Sequence, residues 1–215
     1  PHGYKELSIP PAQGGGYRIE KNALHIWPRG TYMLIALPNL DGSFTVTLFL
    51  PYAGPQGFDN LDTDEKIMDF FREKFTDAVP HMPELIQDYH DNPTAPLGTI
   101  KCYPWQAHGR SLLMGDSAHA IVPFYGQGMN AAFEDVYVLD GFIEELADDW
   151  TDIFQSYQQH RKPDTDAIAD LAKDNFFEMR DHVDDPDFIK KRKLETALEQ
   201  TYPDYFSKYS MVTFN

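Results

Sequence analysis

Apolar positions along the chain change their period from two to about three and a half, separating a strand-rich first part from a helical last part. Residues 4–9, 23–27, 32–37 and 44–50 are rich in aromatic and β-branched side chains and predict strands. The last two flank Pro38-Asn39-Leu40-Asp41-Gly42-Ser43, whose Asp-Gly pair predicts a hairpin and hence an antiparallel sheet. Alternate residues of a strand share a face, so Ile35 and Leu37 go together, as do Thr45, Thr47 and Phe49. One face of this sheet is apolar enough to wall a pocket.

A helix is predicted next, with Asp62 or Thr63 as its N-cap and acidic residues in its first turn. Ile67, Phe70, Phe71, Phe75 and Val79 supply its buried face, and Pro80 ends it. Residues 81–96, punctuated by prolines, predict loop, and residues 99–103 one more strand, ended by Pro104-Trp105. Leu112-Leu113-Met114 predicts a short strand buried on both faces, stopped at Gly115-Asp116. After a loop through Pro123, Gly126-Gln127-Gly128-Met129-Asn130 leads into a helix. Its apolar residues Met129, Ala132, Phe133, Val136, Leu139, Ile143 and Leu146 keep the spacing of one helical face.

From Trp150 the pattern is helical. Ile153, Phe154 and Tyr157 mark one amphipathic helix, and Pro163 begins a second, at a position where proline is tolerated. The second carries Ile168, Leu171, Ala172, Asn175, Phe176 and Met179 on a single face. An asparagine within an apolar stripe needs a partner, since an unpaired buried amide costs about 1–3 kcal/mol. Neighbouring backbone or a ligand would serve equally.

Composition narrows the classes. A chain of 215 residues with 42% hydrophobic and 14% aromatic content can bury a sizeable core. A formal net charge of −16 argues against nucleic acid and against an anionic membrane surface, both of which repel it. No apolar run approaches the roughly 18 residues that cross a bilayer, so no membrane segment is expected in this chain. Cys102 is the only cysteine and cannot make an internal disulfide, which suits a reducing, cytoplasmic setting. His81, His90, His108 and His119 lack ligand spacing, so no metal site is expected.

The candidate chemistry lies between Arg110 and Leu139. The first turn of a helix offers unpaired N–H groups and a partial positive charge, suited to an anion or an electron-rich oxygen. Gly126 and Gly128 let a flat ring lie against that backbone, and Asp116 at the strand end can accept hydrogen bonds from sugar-like hydroxyls. A lone Gly-Gln-Gly could equally be an ordinary glycine-rich turn. The longer string Gly115-Asp116-Ser117-Ala118-His119, Pro123 and Gly126-Gln127-Gly128-Met129-Asn130 resembles the second flavin-contacting motif of the single-component aromatic hydroxylases, which use FAD. The resemblance implies that Asp116 holds the ribityl chain. It also implies that Gly128, Met129 and Asn130 face the pyrimidine edge of the flavin ring, with Gly115, Pro123 and Gln127 in the same cofactor site.

The likeness narrows along Leu24-His25-Ile26-Trp27-Pro28-Arg29, Met33-Leu34-Ile35-Ala36-Leu37-Pro38-Asn39 and Phe44-Thr45-Val46-Thr47-Leu48-Phe49. With Pro123-Phe124-Tyr125 and Asn175-Phe176-Phe177-Glu178-Met179-Arg180-Asp181, these are similar to the kynurenine 3-monooxygenase family over essentially the whole chain. That resemblance implies oxygen transfer from O2 to ring position 3 of L-kynurenine by NADPH-reduced FAD, through a flavin hydroperoxide. It implies ring contacts from Leu24, Ile35, Leu37 and Phe49, and a loop of Pro123, Phe124 and Tyr125 between substrate and flavin. Asn175, Met179 and Tyr209 close the pocket, the asparagine and tyrosine at the amino-acid end of the substrate. The family often has histidine where Tyr125 stands. Two rival expectations are a hydroxylase of another aromatic acid, and a non-catalytic binding module of the same architecture.

The fold class expected is the α+β portion of an α/β flavoprotein hydroxylase: an antiparallel substrate-domain sheet, a flavin-contacting strand-loop-helix and C-terminal helices. The domain boundaries expected are a substrate-binding domain over 1–108, a returning segment of the FAD-binding domain over 109–148, and a C-terminal helical region over 149–215. No GxGxxG turn for a dinucleotide follows a strand; Gly14-Gly15-Gly16 reads as a loop. The 215 residues are therefore expected to be the later part of a longer protein, with the dinucleotide turn in its N-terminal part. In a eukaryotic member of the family the whole protein would sit at the outer mitochondrial membrane.

Overall fold

Strand pairing follows the side-chain alternation closely. The computed structural model describes residues 1–147, 149–182 and 185–214. Asp148, the expected last residue of the returning segment, lies outside them. The chain divides into two units, Pro1–Leu97 with Met179–Asp185, and Gly98–Glu178 with Pro186–Asn215.

The first unit is built on a five-stranded antiparallel sheet. Strands β1 (His2–Ile9), β2 (His25–Pro28), β3 (Met33–Pro38) and β4 (Phe44–Pro51) are joined by the short β5 (Ala95–Pro96), in the order β2-β3-β4-β1-β5. One face is the core: Leu7, Ile9, Leu34, Ala36, Val46, Leu48 and Leu50 pack with Ile67 and Phe71 of helix α1 (Asp64–Lys74), and with Phe75 and Met82 beyond it. The other face carries the cross-strand pairs Met33–Phe49, Ile35–Thr47 and Leu37–Thr45. Period-two alternation thus separates a packed face from a second, differently composed one.

Helix α1 is capped by Thr63, whose hydroxyl accepts from the Lys66 N–H at 3.3 Å. It ends at Lys74, short of the expected Pro80; Phe75 takes the C-cap, and residues 79–81 form a separate 3-10 turn. The expected loop at 81–96 contains a helix, α2 (Leu85–Asp91). Its C-terminal end is held by Lys5 of β1, whose Nζ donates to the carbonyls of Tyr89 at 2.9 Å and Asn92 at 2.6 Å and lies over the Tyr89 ring. A cation supplied some eighty residues away satisfies the last carbonyls and the negative helix end. Local sequence could not show this. Burial lowers the Lys5 pKa.

In the second unit the expected strand at 99–103 does not form; the Ile100 N–H donates to the Ala120 carbonyl at 2.8 Å instead. Strands β6 (Gln106–Ala107) and β7 (Ser111–Leu112) make only a two-stranded ribbon, so Leu112-Leu113-Met114 is not the strand buried on both faces that its composition suggested. Leu113 is exposed because, among the described residues, no further strand pairs there.

The single-turn helix α3 (Asp116–His119), α4 (Gly128–Leu146) and α5 (Trp150–Phe177) follow, then a π-helical turn at Glu178–His182, α6 (Pro186–Thr201) and α7 (Lys208–Phe214). Pro163 does not start a new helix: α5 runs through it for 28 residues. Proline inside a helix costs about 3 kcal/mol. The continuous buried face of Ile153, Tyr157, Arg161, Thr165, Ala169, Ala172 and Phe176 on both sides of it offsets that. The apolar face expected of α4 is not its buried face. Met129, Phe133 (66% exposed) and Val136 point outward, whereas Ala131 and Asp135 are buried.

Phe71 is fully buried in the first unit, so Phe71→Ala should destabilise that unit by about 3–5 kcal/mol. Denaturant unfolding followed by tryptophan fluorescence measures this; a loss under about 1 kcal/mol would show that the α1 side of the sheet is not the core.

Candidate functional site

The end of β7 delivers the backbone into an unusual conformation. Gly115 has φ 56° and ψ −142°, which side-chain-bearing residues avoid. Asp116 follows as the first residue of α3, its carboxylate exposed at a cleft of about 460 Å³. The cleft is lined by Asp116, Ile121, Pro123, Gly128, Met129 and Ala132, with Gly126 at the turn. Gly126 is left-handed (φ 68°) and closes the 3-10 turn Pro123–Tyr125; a Cβ there would meet nothing within 4 Å, so the glycine leaves the backbone open to a flat ring.

Helix α4 begins beside this opening with no side chain capping its first turn. Its Gly128 and Met129 line the cleft, so the partial positive charge of the helix start is offered there. The side chains of Gln127 and Asn130 turn elsewhere. Asn130 donates to Gln127 Oε1 at 2.8 Å, Gln127 donates to the Val212 carbonyl at 3.0 Å, and both line a separate cavity of about 420 Å³ with Ala131, Glu134 and Arg161.

The expected substrate residues fall in both units. In the first, Ile35, Leu37 and Phe49 lie on the sheet face opposite the core and Leu24 stands just before β2; Leu24 and Leu37 are exposed, Phe49 is 1% exposed, and Met179 is buried. In the second, Phe124 packs on Phe176 with ring centroids 4.7 Å apart, and Asn175 Nδ2 donates to the Phe124 carbonyl at 2.7 Å. The asparagine in the apolar stripe therefore has a backbone partner. Tyr125 packs against Tyr209 at 6.0 Å, and the Arg192 guanidinium lies 5.1 Å over the Tyr209 ring. Burial raises the Tyr125 pKa, with Glu178 adding to it.

Behind the cleft lies a charged cluster that the periodicity did not single out. Asp135 is fully buried, and Arg161 is 1% exposed. Asp135 Oδ2 accepts from the Gly115 N–H at 2.9 Å and pairs with His119 Nε2 at 2.6 Å, while Oδ1 accepts from Arg161 Nε at 2.9 Å. Arg161 also reaches the Ala131 carbonyl at 3.3 Å and Glu134 at 2.9 Å. Burial by itself pushes the Asp135 carboxyl up, but the hydrogen bonds from His119, Arg161 and Gly115 outweigh it and hold the pKa at about 2. The sign follows: this depressed pKa contributes stability that is full above the ordinary 3.8 and is lost as pH falls towards about 2. Burial also pushes the Tyr157 phenol up, and the Asp135 charge adds to that. Trp105 seals the cluster, its ring 5.3 Å from His119, with its backbone N–H donating to Gln158 Oε1 at 2.9 Å and its indole N–H to the Cys102 carbonyl at 2.8 Å. The sequence signal for these residues was Asp135 itself, a carboxylate on the inner side of a helix whose apolar residues face out.

Comparison with known proteins agrees with this geometry. A family model described as an FAD binding domain matches residues 66–172. The chain shares the fold of flavin-dependent hydroxylases, with an antiparallel sheet and a strand-loop-helix. In sequence it is similar over its whole length to proteins named kynurenine 3-monooxygenase. The Dictyostelium discoideum protein of that name is 51% identical over 100% of this chain and 49% of its own length. The Flavobacterium johnsoniae protein of that name is 50% identical over 99% of this chain and 48% of its own. The chain thus spans about half the length of the curated relatives it matches. Klebsiella pneumoniae HpxO, solved with FAD and uric acid, shares the fold at a TM-score of 0.66 and 16% identity, over 93% of this chain and 50% of that one.

FAD is the cofactor that the matched family model names, and the cleft fits it: a carboxylate for the ribityl hydroxyls, a side-chain-free turn for the ring and an uncapped helix start for negative charge at its edge. Asp116→Ala in the complete protein should raise the FAD Kd about tenfold or more without lowering the melting temperature, because the side chain is exposed. Purification with a full flavin complement would show that the ribityl contact lies elsewhere.

Proposed function

We propose that these residues form the substrate-binding and flavin-contacting portion of an FAD-dependent, NADPH-using monooxygenase that hydroxylates L-kynurenine at ring position 3. The observation that carries the reading is the cleft of the second unit, where Asp116 and the start of α4 meet in a chain about half identical to proteins of that name. The dinucleotide turn belongs to an N-terminal part of the same protein. Residues 1–108 serve as substrate domain, 109–148 as the returning flavin segment and 149–215 as the C-terminal helical region. Among the described residues no helix is long and apolar enough to cross a membrane, and the single free cysteine fits a cytoplasmic setting.

Each residue has a physical task. Asp116 accepts hydrogen bonds from the ribityl hydroxyls, and the first-turn N–H groups of Gly128, Met129 and Asn130 stabilise negative charge at the pyrimidine edge. Gly115 shapes the strand end, Pro123 flanks the ring, and Gln127 holds Asn130. When bound and reduced by NADPH, the flavin supplies activated oxygen from O2. The aniline nitrogen of kynurenine already donates electrons to the ring carbon ortho to it, so no strong protein base is required. Leu24, Ile35, Leu37, Phe49, Phe124 and Met179 contact the substrate as apolar walls that orient its ring and keep water out. Tyr125 lies beside the ring, and Asn175 and Tyr209 hydrogen-bond the amino-acid end.

The direct test is NADPH oxidation by the complete protein with L-kynurenine, with 3-hydroxykynurenine formed in proportion. Faster, fully coupled turnover of another aromatic acid would replace the substrate assignment. Phe49→Ala removes a ring from the wall and should raise the hydrogen peroxide released per NADPH consumed; an unchanged ratio would take Phe49 out of the substrate site.

Tyr209→Phe should raise the kynurenine Kd about tenfold at unchanged stability, since a hydrogen bond to a charged group is lost. Asn175→Ala should do the same and also lower the melting temperature, because its amide supports the Phe124 carbonyl. Lowered stability with unchanged kynurenine affinity would leave Asn175 a purely structural residue.

A further inference from the structure

Asp116 is aimed by backbone alone. Its exposed carboxylate makes no hydrogen bond among the described residues, so the torsions of residues 115–119 set where it points. Those torsions are held at both ends by one side chain. Asp135 Oδ2 takes the Gly115 N–H at 2.9 Å immediately before Asp116, and His119 Nε2 at 2.6 Å three residues after it. The same carboxylate is fastened by Arg161 Nε at 2.9 Å from α5, and it stands on α4, whose start forms the other wall of the cleft. Asp135 therefore joins the two walls that face one ligand, although it does not itself line the cleft.

We propose that Asp135 is a positioning residue of the flavin site, acting through the Gly115 N–H and His119 to aim Asp116 at the ribityl chain. The inference rests on the flavin reading of the cleft and goes beyond it. A neutral amide cannot replace the carboxylate. Asparagine has one acceptor oxygen for the three donors of Gly115, His119 and Arg161, and turns its own N–H groups towards the rest. Gly115 would lose the acceptor of its N–H, leaving only its carbonyl held, by the N–H groups of Ala118 and His119 at 2.9 Å.

A double-mutant cycle on the complete protein separates this role from general support of the fold. FAD Kd is measured by flavin fluorescence for Asp116→Ala, Asp135→Asn and the double variant. If Asp135 acts through Asp116, each single change weakens FAD about tenfold or more, and the double variant is no weaker than the weaker single variant, within about twofold. The visible bands of flavin saturated onto Asp135→Asn should match those of Asp116→Ala. Effects that multiply in the double variant, or an Asp135→Asn Kd within about twofold of the parent, would overturn the proposal. Should Asp135→Asn melt too low to assay, His119→Gln, which disturbs the same Oδ2, takes its place with the same expectations. An Asp116→Ala protein that binds FAD normally would overturn the flavin assignment itself and this inference with it, whereas a weakened Asp116→Ala beside a normal Asp135→Asn overturns the inference alone.

Discussion

A fully buried carboxylate organises the second unit. Removing one ion from water costs several kcal/mol even after relaxation, so Asp135 is tolerable only while its acceptor sites are filled. They are filled by groups from three places in the chain: the backbone at Gly115, the end of α3 at His119, and Arg161 on α5, all converging on Asp135 of α4. Each is brought there by the need to compensate the same charge, and losing any one exposes the remainder to the desolvation penalty. The network contributes fixed geometry more than net stability, since an apolar replacement of similar volume is often as stable as an ion pair. A binding cleft needs its walls kept in register, and this cluster lies directly behind them.

The first unit solves a different problem with the same economy. Its sheet keeps α1 and α2 on one face and leaves Ile35, Leu37, Thr45, Thr47 and Phe49 on the other. Lys5 projects to the helical side and closes the end of α2 by donating to its last carbonyls. The opposite face is composed differently, although Met33 and Phe49 on it are as buried as the core. A mixed apolar face of that kind is what the proposed role as a substrate wall requires, because a dry surface would protect activated oxygen from wasteful decay.

Much of this was legible along the chain for definite reasons. Period two in residues 32–37 and 44–50, with Asp41-Gly42 between them, determined the hairpin and which residues share a face, because strand side chains must alternate. Thr63 ahead of acidic residues determined the start of α1, and Gly126-Gln127-Gly128 the start of α4. The flavin-type string placed Asp116, Pro123, Gly128 and Met129 at what proved to be one cleft.

What local patterning could not decide was set by partners distant in sequence. α2 exists because Lys5 caps it, α5 passes through Pro163 because burial on both sides of the proline outweighs a lost hydrogen bond, and Leu112-Leu113-Met114 stays short for want of neighbouring strands. The face that α4 buries was decided the same way: apolar spacing pointed to Met129, Phe133 and Val136, but the buried side is the one carrying Asp135. Hydrophobic periodicity records only which residues avoid water. Only tertiary structure could bring a histidine, an arginine and a glycine N–H to one carboxylate and so make its burial possible.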